Sequence, residues 1–141
     1  MMKVCLTAMA LCFGMVSLAE AEVDVIVNAG YGVSKASYGD VAKVFLAKAG
    51  ALPGGSALVP IDQNDGSAAR TLFYSQVTGK NASQLNAYWS KLIFTGQGQP
   101  PKSVGGDADV AALVAKNPNL IGYVHNAGKF SGVKVIAKLA D

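Results

Sequence analysis

Short runs of β-branched residues alternate along this chain with segments whose apolar residues have helical spacing, and this alternation limits the possible folds most strongly. The β-branched runs predict four strands, at 23–28, 57–61, 120–124 and 133–139. The segments between them predict four helices, beginning at Ser37, at Ser67, at Asn81 or Ser83, and at Asp107 or Asp109. The resulting order, β-α-β-α-α-α-β-β, predicts an α/β domain with a mixed sheet flanked by helices.

Composition and charge exclude several other classes of protein. Of the 141 residues, 51% are hydrophobic and 15% are charged, and the mean hydropathy is +0.32, so the chain is not a disordered acidic or basic tail. The net charge is +3, from 12 basic and 9 acidic residues. Such a small surplus gives no reason to expect nucleic acid as a partner.

The first 21 residues have the pattern of an export signal. Lys3 gives a positive start, residues 4–18 form an apolar run, and Ala19-Glu20-Ala21 supplies the small residues that a signal peptidase reads. The apolar run is shorter than the ~20 residues that span a bilayer. We therefore expect cleavage after Ala21, which places a domain of residues 22–141 in the periplasm without a membrane span. The alternative is an uncleaved N-terminal anchor.

Both cysteines, Cys5 and Cys12, fall inside this predicted signal. Leu11 precedes Cys12, where a lipoprotein signal has a small residue, so the sequence does not predict a lipid anchor. The mature chain then has neither a disulfide framework nor a thiol nucleophile. We expect its core to be stable through packing alone.

Segment 62–70, Asp-Gln-Asn-Asp-Gly-Ser-Ala-Ala-Arg, carries the candidate binding site. A strand ends here, a glycine-containing loop turns, and a helix begins at Ser67. The free N–H groups and the positive dipole end of a first helical turn attract anions. Ser67 can add a hydroxyl donor, and Arg70 a charged fork suited to phosphate or carboxylate. The alternative is an ordinary N-cap in which Arg70 pairs with Asp62 or Asp65.

Other candidate residues are better explained by structure than by catalysis. His125 is the only histidine, so a histidine metal site or proton relay is not expected, and its position after a strand predicts an exposed loop residue. Asp107 and Asp109 fit the acids favoured at a helix start. Tyr88 and Trp89 fit a helical core stripe. With no nucleophile–base pair, metal cluster or cofactor loop in the sequence, we expect a protein that is not an enzyme and has no cofactor.

Two glycine-containing loops are candidates for partner contacts. Tyr31 and Tyr38 lie in or beside the first, at 30–37, and are predicted to be free to meet a partner. The second loop, at 96–106, is rich in Gly, Pro and Gln. The sequence Asn81-Ala82-Ser83 matches a glycosylation site but also serves as a helix cap.

Several short motifs, in their order and spacing, resemble the phosphate-type periplasmic substrate-binding proteins of ABC transporters. The matching segments are Val25–Asn28, Val41–Leu46, Val59–Phe73, Tyr88–Ser90 and Ile121–Val124. The third of them resembles the phosphate loop of that family, R-x-D-G-S-G-T. The resemblance implies the fold of a type II periplasmic binding protein. It covers nearly all of residues 22–141.

The resemblance also implies a set of ligand-binding residues: Gln63, Asp65, Gly66, Ser67, Ala68, Ala69 and Arg70. Ser67 stands where the family has a phosphate-binding serine. The arginine of the family motif falls on Gln63, and its Gly-Thr pair on Ala68-Ala69, which removes one hydroxyl donor. Arg70 restores a positive charge one turn along the helix.

The chain is long enough for about one of the two lobes that this family closes around its anion. The resemblance implies an exported protein that binds phosphate or a similar oxyanion, linked to ABC-type phosphate transport, with transporter membrane subunits or another envelope protein as a partner. The alternative is a structural or interaction protein of the cell envelope that reuses one lobe and binds partners through its glycine-containing loops.

Overall fold

The computed structural model describes residues 22–139. The predicted export signal, with both cysteines, lies outside these residues, so its cleavage stays a prediction. Within the described part of the chain, every helix is too short or too polar to cross a lipid bilayer.

A mixed sheet runs through the middle of the molecule, and the described residues contribute five strands to it. The strands are β1 (Val23–Asn28), β2 (Val59–Asp62), β3 (Lys102–Ser103), β4 (Leu120–His125) and β5 (Val133–Leu139). Their spatial order is β3-β2-β4-β1-β5. β2 runs parallel to β3 and β4, and β1 runs antiparallel to β4 and β5. The mixed sheet predicted from the sequence is confirmed.

β3 corrects one expectation, since it lies within the predicted loop 96–106. It is only two residues long and both residues are exposed, so it has no periodic pattern that a sequence could display. It exists because Lys102 and Ser103 pair with Ile61 and Asp62 of β2, about forty positions earlier in the chain. The loop is therefore fastened to the sheet edge beside the candidate site.

The helices begin where the capping residues predict. They are α1 (Tyr38–Phe45), α2 (Ala68–Thr78), α3 (Ala82–Phe94) and α4 (Asp107–Lys116). Side chains of Ser37, Ser67 and Asn81 accept a hydrogen bond from the backbone N–H three residues later, as N-caps do. Between the alternatives left open, Asn81 caps α3, and Asp107 is the first residue of α4.

Successive side chains of a strand point to opposite faces of the sheet, so the buried residues form a core on each face. On one face Val25 and Tyr123 pack against α1, α2 and α3 in a large buried cluster that includes Trp89, so the predicted core position of that residue is confirmed. On the other face Ile26 and Val124 pack against α4 in a smaller cluster. The fold thus has three layers, with helices on both sides of the sheet.

Two tyrosines predicted to be free for partner contacts are held within the chain. Tyr31 is buried, and its hydroxyl donates to the Ser56 carbonyl over 2.6 Å. Tyr38 is more exposed, but its hydroxyl donates to the Lys138 carbonyl over 2.5 Å. The prediction for Tyr31 is wrong, because the loop folds back onto the α1 side of the core and fills it with the tyrosine ring.

Candidate functional site

The carboxyl ends of the parallel strands β2, β3 and β4 meet at one edge of the sheet, and the candidate site lies there. This edge gathers Asp62, Gln63, Ser103 and His125 from separate parts of the chain. In α/β sheets, ligand sites form preferentially outside the carboxyl ends of strands. The topology therefore places the predicted segment 62–70 where a site is expected.

A tight turn joins β2 to α2. The Ser67 N–H donates to the Asn64 carbonyl over 3.1 Å, and Gly66 has φ +84°, which a residue with a Cβ would adopt only under strain. Ser67 then caps the helix, since its Oγ accepts from the Arg70 N–H over 3.2 Å. The predicted helix start at Ser67 is confirmed.

The first turn of α2 keeps backbone donors available. The N–H groups of Gly66 and Ala68 have no hydrogen-bond partner within residues 22–139, and both residues are exposed. Ala69 is fully buried and its methyl group belongs to the core. A ligand on the surface of this turn would therefore meet Gly66 and Ala68 before it met Ala69.

The Ser67 hydroxyl is engaged inside the protein. It donates to Gln63 Oε1 over 2.7 Å. Gln63 is buried, and its Nε2 donates to Asp107 Oδ1 over 2.8 Å and to the Tyr123 carbonyl over 2.9 Å. Gln63 thus ties the start of α2 to the start of α4. To donate to a ligand, Ser67 would have to release this amide.

Arg70 lies along the turn and joins two carboxylates. Its Nη1 is 3.3 Å from Asp62 Oδ2, and its Nη2 is 3.3 Å from Asp65 Oδ1. Nη1 also donates to the Gln63 carbonyl over 2.8 Å, and the guanidinium lies 5.6 Å from the centre of the Tyr74 ring. Both ion pairs that the sequence offered as alternatives are formed. About a quarter of the arginine side chain, 23%, stays exposed.

The two carboxylates differ sharply in environment. Asp62 is 2% exposed and Asp65 is 96% exposed. Asp62 also accepts hydrogen bonds from the hydroxyls of Tyr74, over 2.7 Å, and Tyr123. Burial, and next the nearby charge of Asp62, raise the pKa of both tyrosine hydroxyls far above the ordinary value. Both tyrosines therefore stay neutral and act as donors to a fixed buried carboxylate.

Sequence reasoning missed a polar contact between His125 and Asp107, on the far side of Gln63. His125 is the last residue of β4 and is partly buried, so its prediction as an exposed loop residue is wrong. Its Nδ1 is 3.3 Å from Asp107 Oδ2, and its N–H donates to Asp107 Oδ1 over 3.0 Å. Asp107 is therefore more than a favourable acid at a helix start. The packing of α4 against β4 brings these two residues together, and no local sequence pattern shows it.

A groove opens beside the site, between the outer face of α2 and the start of α3. Its volume is about 340 Å³. Asp65, Gly66 and Arg70 form part of its lining, so it is continuous with the turn at the start of α2. Within residues 22–139, no group of three or more His, Cys, Asp or Glu side chains is arranged to hold a metal ion.

The fold is similar to one lobe of a solute-binding protein. Solved structures of such proteins match the chain over most of its length. A phosphate ABC transporter substrate-binding protein from Clostridium perfringens, solved with bound phosphate, is 20% identical, with a TM-score of 0.64 over 82% of this chain. An ABC-type phosphate transport receptor from Vibrio cholerae is 15% identical, with a TM-score of 0.63 over 82% of this chain. PstS from Borrelia burgdorferi is 15% identical, with a TM-score of 0.60 over 84% of this chain.

The chain spans less than half the length of these proteins, at 45%, 46% and 48% respectively. No protein-family model matches the sequence, and no curated protein matches it. The resemblance read from the sequence is thus confirmed for the fold, that of a single binding-protein lobe. The proteins it resembles are described as binding proteins and receptors, not as enzymes.

Proposed function

We propose that this protein is an exported, non-catalytic binding protein that holds phosphate or a similar oxyanion at the start of α2. The observation that carries the proposal is the turn itself, where the N–H groups of the exposed residues Gly66 and Ala68 have no partner within residues 22–139 and Arg70 follows in the same turn. The proposal is supported by the structural similarity to the Clostridium perfringens substrate-binding protein, which was solved with bound phosphate. Donors at a helix start and a forked guanidinium suit the tetrahedral oxygens of such an anion.

Asp65 is the group that an incoming oxyanion would replace. Its carboxylate occupies the outer side of Arg70, yet the side chain is 96% exposed. An exposed ion pair of this kind is held weakly, because water screens the charges and both side chains lose freedom. Asp62 keeps its own contacts to Arg70 and to Tyr74, so the guanidinium stays in place when Asp65 swings away.

The affinity that follows from an open site is low. The charges face water on one side, where each charge-assisted bond contributes far less than in a closed cleft. We expect a Kd on the order of 1 mM for the isolated chain. We propose that in the periplasm a partner, such as a membrane subunit of a phosphate transporter, covers this edge of the sheet, excludes water and raises the affinity.

Calorimetric titration with phosphate and with sulfate tests the proposal. Removing the competing carboxylate by Asp65→Asn should tighten binding about three- to tenfold, because the Asp65 charge no longer opposes the anion at Arg70. The matched control is Asp40→Asn, which removes an equivalent charge from the first turn of α1 and should leave binding unchanged. If neither the wild type nor Asp65→Asn binds either anion at tens of millimolar, the proposal is wrong.

A second candidate function is an interaction protein of the cell envelope. The end of α3 favours it, since Phe94 is 92% exposed and Ile93 is 55% exposed. Exposed large apolar side chains mark contact surfaces when they adjoin one another. This candidate predicts that Phe94→Ser abolishes partner recovery from envelope extract, whereas Asp65→Asn does not affect it. Loss of recovery with the anion-site variant alone would contradict it.

A further inference from the structure

The groove beside the candidate site is larger than an inorganic anion needs. Its volume of about 340 Å³ lies within the range of roughly 300–1,000 Å³ that small-molecule sites occupy. A tetrahedral oxyanion at Arg70 would fill only its end next to Asp65 and Gly66. The remainder of the groove continues along α2 toward the start of α3.

Two positive side chains, Arg70 and Lys80, belong to the lining of this groove. Arg70 lies in the first turn of α2, and Lys80 follows Gly79, the left-handed C-cap at which the chain leaves this helix. Lys80 is kept in place over the Tyr88 ring, with Nζ 5.3 Å from the ring centre. Asp65 supplies the acidic side chain of the lining, and Asp62 places a second carboxylate behind Arg70.

Between the two cations the lining offers neutral hydrogen-bonding groups over an apolar floor. Thr71, Ser75 and Asn86 are exposed and line the groove. Leu85 is buried beneath them and also contributes to the lining. Hydroxyl and amide groups above an aliphatic surface suit a hydroxylated carbon skeleton.

We propose that the groove binds the organic part of a small phosphate monoester, with the phosphate on Arg70 and a polyhydroxylated body along Thr71, Ser75 and Asn86. This inference rests on the proposed oxyanion site and names the class of ligand for it. The ester keeps the tetrahedral charged group for the guanidinium. Its hydroxyls pair with groups that inorganic phosphate cannot reach, so the ester binds more tightly.

Calorimetry with three probes tests this inference: inorganic phosphate, glucose, and the primary phosphate monoester of glucose. Two or three additional neutral hydrogen bonds predict that the monoester binds at least about tenfold more tightly than inorganic phosphate. Glucose alone should bind far more weakly than the monoester, because it lacks the charge for Arg70.

Variants that fill the groove show whether the tighter binding of the monoester depends on the groove. Ser75→Trp places an indole in the groove and should reduce monoester affinity to that of inorganic phosphate, which should itself be unchanged. Asn86→Trp is a second filling variant from the opposite wall. The matched control, Ser90→Trp, adds the same ring at an exposed position of α3 outside the groove and should have no effect.

The possible failures can be told apart. Equal binding of phosphate and monoester would overturn the groove inference while leaving the oxyanion site in place. Tighter monoester binding that neither tryptophan in the groove reduces would also overturn it. Absence of binding by all phosphate probes, including with Asp65→Asn, would instead contradict the proposed function itself.

Discussion

Tyr74 shows how the buried charge of Asp62 is held. Its hydroxyl donates to Asp62 over 2.7 Å in a part of the core closed to water. A hydrogen bond to a charged group contributes about 1.5–3 kcal/mol, roughly twice the value for a neutral pair. Tyr74→Phe should therefore lower the free energy of unfolding by about 2 kcal/mol, measured by urea denaturation.

Tyr88→Phe is the matched control for that measurement. The Tyr88 hydroxyl donates over 2.6 Å to the Leu46 carbonyl, a neutral acceptor, so its loss should cost about 1 kcal/mol. An equal effect of the two substitutions would show that the Asp62 bond carries no additional stabilisation from charge.

The sequence could predict those features of the site that depend on neighbouring residues, but not those that depend on contacts between residues far apart in the chain. The sequence predicts that Ser67 caps a helix, because the pattern is local: a serine comes directly before a segment whose apolar residues have helical spacing. Gln63 gives no such signal, because its partner Asp107 lies 44 positions away and meets it only in the folded sheet. The occupied Ser67 hydroxyl could not be predicted for the same reason, since the acceptor Oε1 is held by that distant bond.

At the scale of elements, β4 packs closely against α4 through Gly122. A Cβ built on this buried glycine would lie 2.6 Å from Val110 Cγ1. Valine has little rotameric freedom in a helix, so the two elements would have to move apart. Gly122→Ala should cost about 1–3 kcal/mol of the free energy of unfolding, measured by urea denaturation.

Gly128→Ala is the control for this packing argument. Gly128 is exposed, and a Cβ there would meet nothing within 4 Å. The substitution should leave stability nearly unchanged. If Gly122→Ala also left the free energy of unfolding unchanged, the contact between β4 and α4 would not be too close for a side chain at position 122.

Elements with a strong periodic pattern in their own residues could be predicted from the sequence. Elements that form only by pairing with a distant strand could not. The β-branched run of β1 and the capped stripe of α3 carry their structure in adjacent residues. β3 forms only through its bonds to β2, and the strand position of His125 depends on the register of β4. Sheet order likewise depends on contacts between distant segments, which a single sequence does not display.

At the scale of the whole molecule, the two buried tyrosines make stability depend on alkaline pH. Burial and the Asp62 charge raise the pKa of Tyr74 and Tyr123 above the ordinary 10.0 in the folded state only. Below pH 10 both states keep these protons, so stability is fully present. Above it the unfolded chain releases them and the folded chain does not, so stability falls by about 1.4 kcal/mol per pH unit for each tyrosine.

Urea denaturation across alkaline pH measures that slope. Tyr74→Phe removes one of the two groups and should make the fall shallower by about 1.4 kcal/mol per pH unit. An unchanged slope in the variant would mean that Tyr74 does not titrate differently in the two states.

The central claim is that this single lobe holds an oxyanion at the start of α2, and an amide NMR titration with phosphate tests it most directly. The account predicts progressive shifts at Gly66 and Ala68, with much smaller shifts at Ala82 and Ser83, which form the equivalent turn of α3 behind the Asn81 cap. Equal shifts at both helix starts, or none at tens of millimolar phosphate, would contradict the account.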